Sequence, residues 1–155
     1  MGEAVRWLTS EEQHAWRGFV RLHERLGGRL GRQLQTESNM STADFAVLVE
    51  LTDVPEGRQR FLDLAQSLEW EKSRMSHHIS RMAKRGLVAR EECAEDGRGA
   101  FVVITDAGRE AIEAAAPRHV EAVRALFLDH VTPAELRVLA DISERVVGKL
   151  DEDSS

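Results

Sequence analysis

The sequence predicts a mainly α-helical fold that carries one small β-hairpin. Apolar residues recur every three or four positions along most of the chain, as they do on the buried face of a helix. Only residues 87–104 break this period, with two short β-favouring runs around a glycine-rich turn. With 155 residues, 42% of them hydrophobic, the chain is long enough for one sizeable core. A single unit over residues 1–155 is therefore expected.

The first predicted helix is long. Thr9 and Glu12 have the spacing of a capping box, in which a hydroxyl and a carboxylate satisfy the free amides at a helix start. Apolar residues then keep helical spacing until the polar stretch 35–39. We expect a helix over about residues 9–35.

A second helix is predicted to begin at Ser41 or Thr42 and to end before the breaker at residues 54–57, which contains proline and glycine. Four of its side chains are expected to point inward: Phe45, Leu48, Val49 and Thr52.

Two shorter helices should follow, separated by a connector at residues 69–71. The apolar face of the first is formed by Leu62, Leu64, Ala65 and Leu68. That of the second, which is strongly basic, is formed by Met75, Ile79, Met82 and Gly86.

The β-hairpin comes next, with strands at residues 87–93 and 100–104 and a turn at 94–99. Thr105 is expected to cap a helix that runs toward His130 and kinks near Pro117, because proline lacks an amide hydrogen and crowds the preceding turn. The last helix should begin at residues 132–135, a capping box with proline at the first helical position, and should end near residue 150.

The charge of the chain is unevenly distributed. Its net charge is −6, which at first sight disfavours binding to nucleic acid. Residues 72–90, however, contain six of the 21 lysines and arginines and no acid, so the other 15 basic residues are outnumbered by 27 acidic ones. An acidic body with one positive patch is what an electrostatic footprint on DNA requires. A solvated basic helix face is the alternative interpretation.

Several function classes find no support. Cys93 is the single cysteine, and no CxxC or HExxH pattern is present, so we expect no structural metal, no internal disulfide and no cofactor. No phosphate-binding loop or nucleophile motif indicates an enzyme. No apolar run reaches membrane-spanning length, so we expect no membrane partner and a cytoplasmic protein.

Helical geometry indicates which residues of the basic helix face outward, since each step rotates by about 100°. The N-terminal part of such a helix normally reaches base edges in the major groove of DNA. The residues expected at or near bases are Ser73, Arg74, Ser76, His77 and Arg81. Those expected at phosphates are Lys72, Ser80, Lys84 and Arg85. For His77 an ordinary exposed histidine is the alternative, and for Arg85 it is pairing within the chain.

This order of elements is the layout of a winged helix-turn-helix lobe, here about residues 40–108, between flanking helices at about 9–35 and 109–150. The sequence resembles the MarR (multiple antibiotic resistance regulator) family of transcriptional regulators. The resemblance covers roughly residues 10–150, with one departure at Glu69, where many relatives have glycine. It rests on Leu64-Ala65 with Leu68, Lys72-Ser73, Lys84-Arg85-Gly86-Leu87-Val88, Asp96-Gly97-Arg98-Gly99 and Ile104-Thr105-Asp106-Ala107-Gly108-Arg109.

The resemblance implies a sequence-specific regulator, typically a repressor, that binds an inverted-repeat operator in double-stranded DNA. It also implies that Arg98 enters the minor groove and that Asp96 orients it, which suits the negative potential of a narrow A·T-rich groove.

Apolar residues on the first and last helices exceed what one small lobe can cover, so we expect a homodimer, with packing inside a single chain as the alternative. The resemblance implies the same, with intertwined terminal helices. The residues expected in this contact are Phe19, Leu26, Leu136, Leu139, Ile142 and Val146.

The resemblance further implies release from DNA by a small aromatic or phenolic ligand. Trp16, His23 and Phe45 could line a space for such a ligand, although each also fits a core or surface role. A winged protein that binds another protein instead of DNA is the main competing function. The basic run and Arg98 count against it.

Overall fold

The computed structural model describes residues 2–92 and 100–154. These residues form helices and a small antiparallel sheet, so the predicted mainly α fold with a wing is confirmed. The elements in chain order are α1 (Ser10–Ser38), α2 (Thr42–Thr52), a 3-10 turn (Pro55–Gly57), β1 (Arg58–Arg60), α3 (Phe61–Leu68), α4 (Lys72–Lys84), β2 (Val88–Glu92), β3 (Ala100–Ile104), α5 (Asp106–Leu126), a second 3-10 turn (Leu128–His130) and α6 (Pro133–Ser154). The chain divides into two compact units, Met1–His119 and Val120–Ser155.

The first two helices begin where the capping residues predict. The Thr9 hydroxyl accepts from the Glu12 amide at 3.1 Å, while the Glu12 carboxylate accepts from the Thr9 amide at 2.9 Å. Ser41 and Asp44 make the same reciprocal pair at the start of α2. Helix α1 continues to Ser38, three residues beyond the predicted end.

The sheet has three strands in the order β1-β3-β2, where the sequence predicted only the hairpin of β2 and β3. The additional strand, β1, pairs antiparallel with β3 and places Arg58 opposite Val103. It was missed because three residues, two of them arginines, carry no apolar alternation. The turn between β2 and β3 lies outside the described residues.

The core of the first unit lies between α2, α3, α4 and the sheet. Three of the inward predictions were wrong, for Thr52, Leu62 and Gly86, which are exposed. Helix α2 instead turns Val47 and Leu51 inward beside Leu48, so the Thr52 hydroxyl faces outward and donates to a backbone carbonyl of its own helix. The fully buried apolar side chains include Val47, Leu48, Leu51, Leu64, Met75, Ile79, Met82 and Val102.

Helix α5 begins in close contact with the chain that leads into the wing. The Thr105 hydroxyl accepts from the Gly108 amide at 3.0 Å, as expected of a helix cap. A side chain at Gly108 would collide with the carbonyl oxygen of Leu87, so this position requires glycine. Helix α5 ends at Leu126, short of the predicted His130, and the second 3-10 turn takes its place.

In the second unit, α6 begins at the predicted capping box. The Thr132 hydroxyl accepts from the Glu135 amide at 3.2 Å, and the Glu135 carboxylate accepts from the Thr132 amide at 3.0 Å. The helix continues to Ser154, four residues past the predicted end.

Candidate nucleic-acid interface

Helix α4 presents one apolar face and one basic face. Met75, Ile79 and Met82 are completely buried in the core. The opposite side carries the residues that helical geometry selected from the sequence. Seven of them are exposed and Ser76 is half-buried; the exposed ones are Lys72, Ser73, Arg74, His77, Ser80, Arg81 and Lys84. The described residues of α4 include no acid, so this exposed face is uniformly positive or neutral.

A buried carboxylate holds α4 against α2. Asp44 is only 4% exposed, and its Oδ2 accepts from the Arg85 guanidinium at 2.7 Å. Its Oδ1 lies 2.9 Å from Nε2 of His78, which is 8% exposed. Arg85 also donates to the backbone carbonyl of Asn39. Helix α4 is thus tied to the start of α2 at its middle and at its C-terminal end.

Arg81 joins this arrangement through the second imidazole nitrogen of His78. Its guanidinium lies 3.2 Å from Nδ1. Because arginine can only donate, Nδ1 accepts, and the proton of the neutral ring is on Nε2, facing Asp44. We refer to these four residues as the anchoring cluster: Asp44, His78, Arg81 and Arg85.

Two groups in the anchoring cluster have shifted pKa values. Burial alone would raise the pKa of Asp44, but the amide of Ser41 and the guanidinium of Arg85 outweigh it, so the pKa lies below its ordinary value. Burial lowers the pKa of His78, and the attraction of Asp44 offsets this effect only in part. The cluster is therefore an ionised carboxylate beside a histidine that resists protonation.

Arg74, at the N-terminal end of α4, is supported by an aromatic ring. Its guanidinium carbon lies 4.3 Å from the ring centroid of Trp70, within the range of a cation-π contact. Sequence reasoning treated Trp70 as part of a connector and gave Asp44 no role. The signal that could have found Asp44 is its position three residues after Ser41, the spacing of a capping box; its partner Arg85 lies 41 positions away.

A further cation, Arg58, lies on β1 of the sheet. The guanidinium of Arg58 lies 4.4 Å from the ring centroid of Phe101 and 2.9 Å from the carboxylate of Glu91. Two of the predicted interface residues, Asp96 and Arg98, lie outside the described residues, as does Cys93.

The comparisons with known proteins agree with this geometry. The MarR family model matches residues 38–99. Two crystal structures from Streptomyces coelicolor, both of MarR family transcriptional regulators, superpose on nearly the whole chain. AbsC is 37% identical, with a TM-score of 0.91 over 96% of this chain and 99% of that one. Sco3205, solved in complex with DNA, is 38% identical, with a TM-score of 0.92 over 96% of this chain and 93% of that one.

The chain belongs to the MarR family. Both matched proteins are transcriptional regulators, so the prediction of a regulator rather than an enzyme is confirmed. A further match is YdgJ of Bacillus subtilis, an HTH-type transcriptional regulator that is 30% identical over 84 residues. That alignment covers 54% of this chain and 51% of YdgJ, so it spans about half of the relative.

On α1, the residues of this MarR chain that were expected to contact a second copy lie on a row of side chains. Phe19 is exposed and Leu26 is half-buried. The Phe19 ring centroid lies 5.8 Å from that of Trp16 and 6.3 Å from that of His23. Trp16, which is 58% exposed, and His23 therefore lie beside Phe19 on α1.

Phe45, the third residue proposed for a ligand space, has a different neighbour. Its ring centroid lies 4.4 Å from that of His119, and burial lowers the pKa of this histidine. Within the described ranges, no ring contact joins Phe45 to Trp16 or His23. The structure does not bring these three residues together.

The second unit has its own apolar face. Leu136, Ile142 and Val146 are exposed, Ile142 at 44%, whereas Leu139 is half-buried. These are the four residues that the sequence predicts for self-association on α6.

The described residues were also compared with the requirements of a metal site and of a membrane-spanning helix. In residues 2–92 and 100–154, no three histidine, cysteine or acidic side chains are grouped as metal ligands would be. No helix in those ranges combines the length and the apolar character needed to cross a bilayer.

Proposed function

We propose that this MarR-family protein is a homodimeric repressor that binds an inverted repeat in double-stranded DNA. The observation that carries the proposal is the exposed basic face of α4, which is held in place by a buried apolar face and by the anchoring cluster. A helix fits the major groove, and two copies related by twofold symmetry would read half-sites about one helical turn apart. The 38% identical Sco3205, whose structure contains DNA, supports the assignment.

The proposed roles on α4 follow from position. Ser73, Arg74, Ser76, His77 and Arg81 face base edges, while Lys72, Ser80 and Lys84 contact phosphates. Arg85 is assigned to positioning, because its guanidinium is already bound to Asp44 and to Asn39. Arg98 in the minor groove, oriented by Asp96, remains a proposal that rests on the family resemblance.

Two apolar faces are proposed to be covered by a second copy of the chain. One is the row on α1 that contains Phe19, and the other is the face of α6 that contains Ile142. Replacing Leu139 and Ile142 together by glutamate would place charges in such a contact, at a cost of several kcal/mol. We expect that variant to be monomeric by light scattering, with far weaker binding to an inverted repeat.

The experiment that tests DNA binding is selection from a random duplex library with the purified protein, followed by footprinting of the selected sequence. We expect an inverted repeat, two chains per site, and an affinity that falls steeply between about 50 and 200 mM salt. Arg74→Ala should weaken binding, whereas Arg137→Ala, an exposed arginine of α6, serves as the matched control. Absence of any selected sequence, or an affinity independent of salt, would contradict the proposal.

Regulation by a small aromatic or phenolic ligand is the finer part of this proposal. A cleft of about 410 Å³ in the first unit gives such a ligand room. It adjoins Arg85, so an occupant could disturb the anchoring cluster and hence α4. The cleft is lined by Ser38, Asn39, Met40, Arg85, Leu87 and Ala111, and not by the three residues that the sequence suggested. Titration with benzoate and with phenol, read as release of labelled operator, tests this point; no release by either would count against it.

A further inference from the structure

Trp70 lies immediately before the recognition helix, in a position that the backbone fixes. It follows Glu69, which adopts a left-handed conformation with φ 56° at the end of α3. The Trp70 amide donates to the carbonyl of Ala65 at 2.9 Å, and its side chain is half-buried against the core. The indole therefore starts from an ordered turn.

The indole ring is also held from the side. Its centroid lies 5.4 Å from that of His78 with the two planes at 90°, an edge-to-face contact. His78 is itself buried and lies 2.9 Å from the Asp44 carboxylate. The anchoring cluster thereby fixes the orientation of the indole.

The guanidinium of Arg74 lies over this ring, 4.3 Å from its centroid. We infer that Trp70 is a specificity-determining positioning residue, which holds the guanidinium of Arg74 ready to contact a base edge. The inference rests on the proposed function, since it assumes that α4 enters the major groove.

The chemistry of the contact supports this role. A cation-π contact uses the charge of the guanidinium and none of its N–H groups as hydrogen-bond donors, so these donors are available to a ligand. Those donors are the ones that bind O6 and N7 of guanine in a bidentate contact. An arginine on a flexible stem would lose rotamer freedom on binding, and an arginine already held over a ring has lost part of it beforehand. If the ring instead withheld Arg74 from DNA, Trp70→Leu would tighten binding.

The test is a double-mutant cycle on the selected operator and on its single base-pair variants, at one salt concentration. We expect Trp70→Leu to weaken binding by roughly 3- to 30-fold, the range of a cation-π contact. It should flatten base preference at the same positions as Arg74→Ala. In the Arg74→Ala background, Trp70→Leu should have little further effect, because the guanidinium it positions is gone. Trp70→Phe, which keeps a ring, should give a smaller loss.

A second double-mutant cycle, of Trp70→Leu with Lys84→Ala, is the control. Lys84 lies at the far end of α4, so the losses of affinity in these two variants should be additive. Additive effects of Trp70→Leu and Arg74→Ala would overturn the inference, as would a uniform loss of affinity with base preference intact, or tighter binding. If Trp70→Leu unfolds by circular dichroism, the same cycle is run with Trp70→Phe, and additivity there overturns the inference equally. If the parent protein selects no sequence, the proposed function fails and this inference with it; if the parent selects one and the cycle is additive, only the inference fails.

Discussion

Replacing Asp44 by asparagine removes one negative charge from the anchoring cluster and leaves the size of the side chain nearly unchanged. The remaining oxygen can still accept from the Ser41 amide, so the cap of α2 is retained. The contact to Arg85 at 2.7 Å and the contact to His78 at 2.9 Å both lose the charge that they depend on.

The magnitude follows from the exposure of each partner. A hydrogen bond to a charged group contributes about 1.5–3 kcal/mol, but the Arg85 side chain is 41% exposed and can return to water, so the lower part of that range applies. His78 is buried and cannot rehydrate in place, and an amide NH₂ would replace the carboxylate oxygen that lies 2.9 Å from its Nε2, at a cost of about 1–2 kcal/mol. We expect Asp44→Asn to lower the free energy of unfolding by about 2–4 kcal/mol.

Urea denaturation followed by circular dichroism at a fixed chain concentration measures this loss, since the stability of the proposed dimer would depend on concentration. Asp53→Asn, an exposed acid at the end of the same helix, is the control and should stay within about 0.5 kcal/mol of the parent. In an Arg85→Met background, Asp44→Asn should cost less, because one of its two charged partners is absent. A variant as stable as the parent, or an undiminished cost in that background, would refute the reasoning.

Three further predictions concern two positions with constrained backbones and the histidines His78 and His119. Gly108→Ala should lower the free energy of unfolding by about 1–3 kcal/mol, since its methyl group meets the Leu87 carbonyl; urea denaturation checks this, and an unchanged midpoint would be contrary. Glu69→Gly should raise that free energy by about 0.5–1 kcal/mol by relieving a left-handed conformation, seen as a higher melting temperature, and a lower one would count against the strain. Burial lowers the pKa of His78 and of His119 in the folded chain, so the unfolded chain binds protons at these histidines at a higher pH than the folded chain does. The free energy of unfolding should therefore be highest above the ordinary imidazole pKa of about 6.5 and should decline as the pH falls below it. The decline should be smaller in His119→Gln. A urea midpoint that is constant from pH 7.5 to 5.5 would contradict this prediction.

The parts of the fold that local chemistry determines could be predicted from the sequence. The starts of α1 and α2 depend on side chains three residues away from the backbone groups they satisfy, so Thr9 and Ser41 could be recognised directly. The outward face of α4 followed from its 3.6-residue period, because Met75 and Ile79 fix which side is buried.

The features that were missed depend on residues far apart in the chain. Strand β1 forms only because β3, some 40 residues later, offers its free edge. Asp44 could be recognised as a cap, but its contacts with His78 and Arg85 arise from packing of α2 against α4. The contact of Trp70 with Arg74 is local, yet it could not be expected until the left-handed turn at Glu69 was known.

The order of the three strands also determines how the sheet meets other chains. Its central strand, β3, has the sequence AFVVI, the type of short β-branched and aromatic segment that favours cross-β aggregation. Both of its edges are occupied: the short strand β1 places Arg58 and Arg60 on one side, and β2 ends with Arg90 and two glutamates on the other. Charged or very short edge strands disfavour pairing with a further strand. This segment of β-branched and aromatic residues is therefore shielded by its neighbours within the sheet.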